Sequence, residues 1–326
     1  MLSYRSEPPK EERVALRCDT RETTKNMALT TQRVKLALIS EGINTWPIYA
    51  AQAQGFFSKR GLDVDLTVTG SSVHQLTEMV SGGFDIGVQQ SDHVVRAVEK
   101  GSDLFIAMAQ AHAPDLTVVV APDITSFAQL KGRTLAVDGA RTGYALLLRQ
   151  LLARNGITDS DVTFVEIGGS QERFDAVKNG AAQLVLLNPP FDRKLLEAGF
   201  GSLGAINDFF PAYPGPIAAA RRSWAKDHTE QMVAYIAACR EAYRWLQSPA
   251  NRDAAKASLP ARLGIESAQA DRALDRMAKQ VLPSISDEGI RQVIDVVWAA
   301  EGFTGAKPGP ERYVDFSFLD RVRAQD

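Results

Sequence analysis

The sequence predicts a doubly wound α/β fold divided between two interleaved lobes. Three observations carry that expectation. From Val34 onward, short apolar strands alternate with single helices, which implies parallel sheets. The strand–helix series breaks near Ala121, restarts, and returns near Pro216. The chain has 326 residues, too many for one small domain and comfortable for two.

The first series opens with a strand over 34–39. Thr45 is placed to cap a helix whose first turn takes Pro47, where no N–H is needed, and which runs over 48–57. Residues 62–68 alternate as a strand, and Ser72 with Gln75 reads as a capping box opening the next helix, stopped at Gly82-Gly83. A short strand over 85–88 leads to Ser91, which caps a helix over 92–100 that ends at Gly101. Strands over 104–109 and 116–120 complete this half.

The second series has strands over 134–137, 162–166 and 182–187, with helices over 144–155 and 171–179 between them. A strand over 217–220 follows the proline-rich 211–216, and 225–302 reads as helices with apolar residues three and four apart. Lobe 1 is therefore expected at 34–120 plus 221–326 and lobe 2 at 121–215, with hinge crossovers near 116–122 and 213–221.

Composition excludes several classes of function. Hydrophobic residues are 45% and charged residues 23%, as expected of a globular chain with real cores. Lys and Arg number 37 against 39 Asp and Glu, a net charge of −2, which argues against a nucleic-acid binder. The two cysteines, Cys18 and Cys239, lie far apart and support neither a disulfide framework nor a cysteine metal cluster. The four histidines (His74, His93, His112 and His228) lack the spacing of a zinc hydrolase. Neither a metal nor a cofactor is expected.

Residues 1–33 are polar and read as a disordered extension. They lack the basic start, apolar run and small-residue cleavage site of a secretory leader. Arg17 before Cys18 breaks a lipoprotein pattern, and Met27 is an alternative start. No segment approaches the ~18 apolar residues of a membrane span.

Several segments resemble one family. Gly55-Phe56-Phe57-Ser58-Lys59-Arg60-Gly61-Leu62-Asp63-Val64 is similar to the "GFF…GLDV" segment of bacterial solute-binding proteins of ABC importers. Ser81-Gly82-Gly83-Phe84-Asp85-Ile86-Gly87 resembles their "G…D.G" segment. Leu130-Lys131-Gly132-Arg133-Thr134-Leu135-Ala136-Val137 resembles "DLKGK…V", and Ala176-Val177-Lys178-Asn179-Gly180 the "A…G" before the strand leading to Pro190. Each motif is weak alone, and their order and spacing are specific together. The branch resembled is the aliphatic-sulfonate, nitrate and taurine-binding group, related by fold to thiamine-pyrimidine synthases. The resemblance implies the type II periplasmic-binding-protein fold and a cleft closing on a small organic anion (a sulfonate, a carboxylate or a similar nitrogen or sulfur compound). It implies an ABC permease as partner, a monomer, and a periplasmic location if the chain serves a transporter. With no export signal legible, the cytoplasm stays open.

In open α/β sheets, ligands bind beyond the carboxyl ends of the strands. Those ends carry Asn44, Thr45 and Trp46; Ser71, Ser72 and His74; Gln90, Ser91 and His93; Arg141 and Thr142; Ser170 and Arg173; and Asn188 and Phe191. Most of these turns open a helix, whose N-terminus offers free N–H donors and about half a positive charge. Arg141 or Arg173 pairs with an acidic head group, and Trp46 stacks on an apolar body. Glu41 and Asp92 either repel an anion or take a ligand amine. Each assignment has a plainer rival: the serines as helix caps, the arginines as surface charges, Trp46 as core, the histidines as structural.

The alternative is a cytoplasmic enzyme on the same fold, a decarboxylase, hydrolase or desulfinase-like lyase using His74 as acid or base with Glu41 or Asp92. Sulfinate desulfinases resemble the chain but carry a cysteine in the first loop, where this sequence has Asn44-Thr45-Trp46. The cysteine-rich iron motif of the pyrimidine synthases is equally missing.

Overall fold

Apolar runs too short for helices become the strands of two sheets. A computed structural model describes residues 31–325 of the chain apart from 112. The expected tail over 1–30, with Cys18 and Met27, lies outside the described residues, as does His112.

The first series comprises β1 (Gln32–Leu38), α1 (Trp46–Ala53), β2 (Leu62–Val68), α2 (Ser72–Ser81), β3 (Ile86–Gln89), α3 (Ser91–Glu99) and β4 (Leu104–Ala109). The second comprises β5 (Thr117–Val120), β6 (Thr134–Val137), α4 (Gly143–Arg154), β7 (Thr163–Glu166), α5 (Ser170–Lys178), β8 (Leu184–Leu187), α6 (Phe191–Glu197), β9 (Gly201–Ala205) and α7 (Ile206–Phe209). The chain returns through β10 (Ile217–Arg221). It then runs through α8 (Arg222–Asp227), α9 (Thr229–Gln247), α10 (Arg252–Ala257), α11 (Ser267–Ala278), α12 (Asp287–Glu301) and α13 (Ser317–Arg323).

The sheet orders are β2-β1-β3-β10-β4 and β7-β6-β8-β5-β9. Strands joined by a helix within one series run parallel: β1 with β2 and β3, and β6 with β7 and β8. The strands that follow a passage between sheets run antiparallel: β10 against β3 and β4, and β5 against β8 and β9. Neither reaches its sheet by a helical crossover, the connection that parallel pairing demands. Both sheets are thus mixed, where the sequence pattern implied parallel ones.

Sheet membership also moves a boundary. Residues 117–120, expected in lobe 1, pair in the second sheet, so the break between sheets precedes Thr117. The first strand begins at Gln32, because Gln32 and Arg33 continue the register that pairs Val34 with Val64 and Leu38 with Val68. The helix expected over 48–57 ends at Ala53; Gly55 follows at φ 69°, a left-handed conformation that breaks the spiral. The strand β9 carried no clear sequence signal, being the Gly-rich Gly201-Ser202-Leu203-Gly204-Ala205.

Three apolar clusters fill the layers. One, under the first sheet, holds Leu36, Leu38, Ile86 and Phe105 against Ile236, Tyr235 and Leu246 of α9. A smaller one joins Val119, Val185 and Leu187 to Val177 and Leu195. The third crosses between the series: Val94, Val95 and Val98 of α3, Leu147, Leu148 and Leu151 of α4, and Ile290, Val293 and Val297 of α12. α12 thereby packs on helices of both series. Among the described residues no helix is long and apolar enough to cross a membrane.

Candidate ligand site

The turns after β3 and β6 meet, as do those after β7 and β8, and the side chains expected at the strand ends do different work. Trp46 is corrected first: its side chain is 0% exposed, within the core under the first sheet. Its indole N–H donates to Ala255 O at 3.1 Å and Ser258 Oγ at 2.9 Å. A ring so enclosed stacks on no ligand. Thr45 is buried too, and its hydroxyl donates to Gly42 O at 2.9 Å. Asn44 stays half-buried in the same turn.

At the start of α2 the capping residue is Ser71, whose Oγ accepts the His74 backbone N–H at 3.2 Å. Ser72 is the first helical residue. The expected capping-box partner Gln75 is instead fully buried, donating from Nε2 to Ala37 O at 2.9 Å and Val88 O at 3.2 Å. It ties β1 to β3. The His74 ring is exposed. Of its two suggested partners, Asp92 pairs with Arg96 and Glu41 accepts from the Tyr49 hydroxyl.

The turn from β3 into α3 is built differently. Ser91 does not cap; Gln90 holds that place with no side-chain bond to the helix. Five consecutive residues each carry a buried polar atom without a hydrogen-bond partner: Gln89 Oε1, Gln90 Oε1, Ser91 Oγ, Asp92 Oδ1 and His93 Nδ1. Each such group costs about 1–3 kcal/mol.

Opposite this turn stands the start of α4, capped by Thr142, whose Oγ1 accepts from Ala145 N at 3.3 Å and donates to Asp138 Oδ1 at 2.5 Å. Two bonds join the two series here. Gln90 Nε2 donates to the Tyr144 hydroxyl at 2.7 Å. Arg96 donates to Arg141 O at 3.0 Å and also holds Asp92 Oδ2 at 3.2 Å and Glu301 Oε1 at 2.8 Å. Glycine is required at 143, because a Cβ there would collide with the Asp92 carboxylate. Burial raises the Tyr144 phenol far above its ordinary value, and the charges of Asp138 and Asp92 add to this while Arg173 opposes it.

The two candidate arginines separate. Arg141 keeps 70% of its side chain exposed, 4.0 Å from Glu301. Arg173 is 6% exposed. It donates to Gly168 O and, at 3.4 Å, to Ser170 Oγ, and no carboxylate among the described residues lies within ion-pair distance. Burial pulls its pKa down, against the field of Asp138, yet an arginine stays a cation. Ser170 Oγ in turn donates to Asn188 Oδ1 at 3.0 Å. Phe191 packs on Phe174, ring centroids 5.9 Å apart. Sequence reasoning did not single out Tyr144 or Glu301. Only the Asp92–Arg96 pair had a local signal, its i,i+4 spacing.

A family model described as "NMT1/THI5 like" matches residues 43–251, well over half the chain. The chain belongs to the NMT1/THI5-like family. Among curated relatives of this NMT1/THI5-like chain, YtlA of Bacillus subtilis is 27% identical over 231 residues, 69% of each chain. The bicarbonate-binding protein CmpA of Synechococcus elongatus is 22% identical over 235 residues, 63% of this chain and 52% of CmpA. Among solved structures, the alkanesulfonate-binding protein SsuA of Xanthomonas axonopodis pv. citri, bound to MOPS, superposes with a TM-score of 0.69 at 17% identity, covering 86% of this chain and 97% of SsuA. At that identity the likeness shows the fold: two mixed α/β sheets of the periplasmic-binding-protein kind.

Proposed function

We propose that this NMT1/THI5-like chain is a solute-binding protein that captures a small organic anion between its two sheets for an ABC importer. The observation that carries the reading is Arg173, a buried cation whose hydrogen bonds reach only neutral oxygens. A buried charge that no carboxylate contacts is costly even in the field of Asp138, and an acidic ligand head supplies a direct partner. Arg173 sits in the first turns of α5, whose N-terminus adds N–H donors. The names of the relatives, binding proteins for bicarbonate and alkanesulfonate, support the same ligand class.

Function requires the lobes to open and close, with the passages near 116–122 and 213–221 as hinges and one chain per ligand. The importer role places the protein outside the inner membrane, beside a permease. The enzyme alternative has less support: the His74 ring is exposed and, among the described residues, bound to no carboxylate, and Cys239 is a buried thiol pushed up to about 12 by desolvation.

A thermal-shift screen with sulfonates, carboxylates and aromatic acids tests the reading. A ligand at 100 times its Kd adds about 2.7 kcal/mol, a plain rise in Tm. A melt unmoved by every acid, together with turnover that depends on His74, would refute it.

A further inference from the structure

Asn188, Ser170 and Arg173 form a hydrogen-bonded relay whose direction is set by the chemistry of its members. An arginine donates and never accepts, so Arg173 donates to Ser170 Oγ at 3.4 Å and to Gly168 O. A serine hydroxyl has a single hydrogen, and Ser170 gives it to Asn188 Oδ1 at 3.0 Å. The Asn188 amide is oriented in turn by the backbone, because its Nδ2 donates to Pro189 O at 3.3 Å. Turned over, that amide would set Oδ1 against the Pro189 carbonyl, two acceptors facing each other. The polarity of the relay is therefore set at Asn188 and delivered at Arg173.

The fold holds both ends of the relay. Asn188 follows β8, and its carbonyl accepts from Phe191 N at 3.0 Å where α6 begins. Ser170 and Arg173 lie in the first turns of α5, and the Phe174 and Phe191 rings pack α5 against α6. Ser170 was expected from the sequence as a donor to the ligand, but its hydrogen is spent on Asn188, and what it turns to Arg173 is a lone pair. Among the described residues the guanidinium uses two of its five N–H hydrogens in this way, and three remain for an acidic head. A long side chain that a ligand must immobilise weakens binding by the freedom it loses, and one already fixed does not. We propose that Asn188 is a positioning residue: acting through Ser170, it fixes the Arg173 guanidinium before the ligand arrives. This rests on the solute-binding reading and adds to it that the anion meets a pre-set cation.

A double-variant cycle on the full chain tests it, read by calorimetric titration with the acid that gives the largest thermal shift. Asn188→Ala and Ser170→Ala each weaken binding about two- to tenfold, the range for a ligand that must immobilise one side chain. The double variant binds no worse than the weaker single one, because both changes cut the same relay. Losses that multiply in the double variant make Asn188 a direct ligand contact and overturn the proposal alone. Melts that fall while affinity holds make the relay a packing feature and also overturn it alone. No heat with any acid overturns the solute-binding reading and the proposal together. Nuclear magnetic resonance of isotope-labelled arginine side chains gives a second readout that needs no ligand. The Arg173 N–H signal is ordered in the unaltered chain and loses order in either single variant. An Arg173 signal unmoved in both variants overturns the proposal even where acids bind.

Discussion

Arg173 is held by neutral oxygens alone, so its charge is available to a ligand rather than spent on a neighbour. Arg173→Ala is expected to weaken acid binding about tenfold to a hundredfold, in line with about 1.5–3 kcal/mol for a charged hydrogen bond. Arg173→Lys recovers part of that, because an ammonium cannot reproduce the planar fork. Titration of the two variants with any acid that binds the unaltered chain is the check. Trp46 behaves in the opposite way. Trp46→Ala should cost about 3–5 kcal/mol in denaturant unfolding, the price of a large core cavity. The two residues looked alike in the sequence, each in a turn after a strand. What separates them is distance along the chain: the indole partner Ala255 lies 209 residues away, beyond any local pattern. Arg173 and Arg141 were indistinguishable for the same reason, since burial is decided by what the fold lays over them.

At the scale of the element, α12 is the clasp between the two series. Its apolar face reaches both α3 and α4, and its last residue, Glu301, meets Arg96 at 2.8 Å and Lys100 at 3.5 Å. Burial works to raise the Glu301 carboxyl, but the bonds and charges of Arg96 and Lys100 win and hold it below its ordinary value of 4.5. A depressed carboxyl stabilises the fold fully above that ordinary value, and the contribution is lost as pH falls through the depressed one. Stability followed by urea melts should therefore decline below about pH 4.5, and Glu301→Gln should flatten that decline. A slope unchanged by the substitution would assign the acid sensitivity elsewhere. The apolar spacing within 225–302 made its helical character legible, and the structure adds the cap, Ser286 Oγ accepting from Gly289 N at 3.0 Å. Its double attachment was not, because amphipathic spacing shows which face is buried and not against what. The same limit explains the cap on α2: Ser71 and Ser72 are adjacent hydroxyls, and only the backbone turn, extended at Ser71, selects one.

For the whole molecule, the alternation of short strands and helices was enough to read two interleaved α/β units, since each strand's length and apolar content are local properties. The direction of β5 and β10 was not local. Both follow a passage between sheets, and their antiparallel pairing depends on where the chain re-enters. The site inherits this mixture. Strand-end turns supplied the candidate residues, while the unpartnered atoms at β3–α3 and the burial of Arg173 emerged only once both sheets had closed around them. The account stands on one claim, that the chain binds a small organic acid and returns it unchanged. Equilibrium dialysis against the acid that gives the largest thermal shift tests it most directly, with chemical analysis of the ligand recovered afterwards. The predicted result is saturable binding of one ligand per chain, abolished or much weakened in Arg173→Ala, with the ligand recovered intact. Conversion of the ligand by the unaltered chain and not by His74→Ala, or retention indifferent to Arg173, would contradict it.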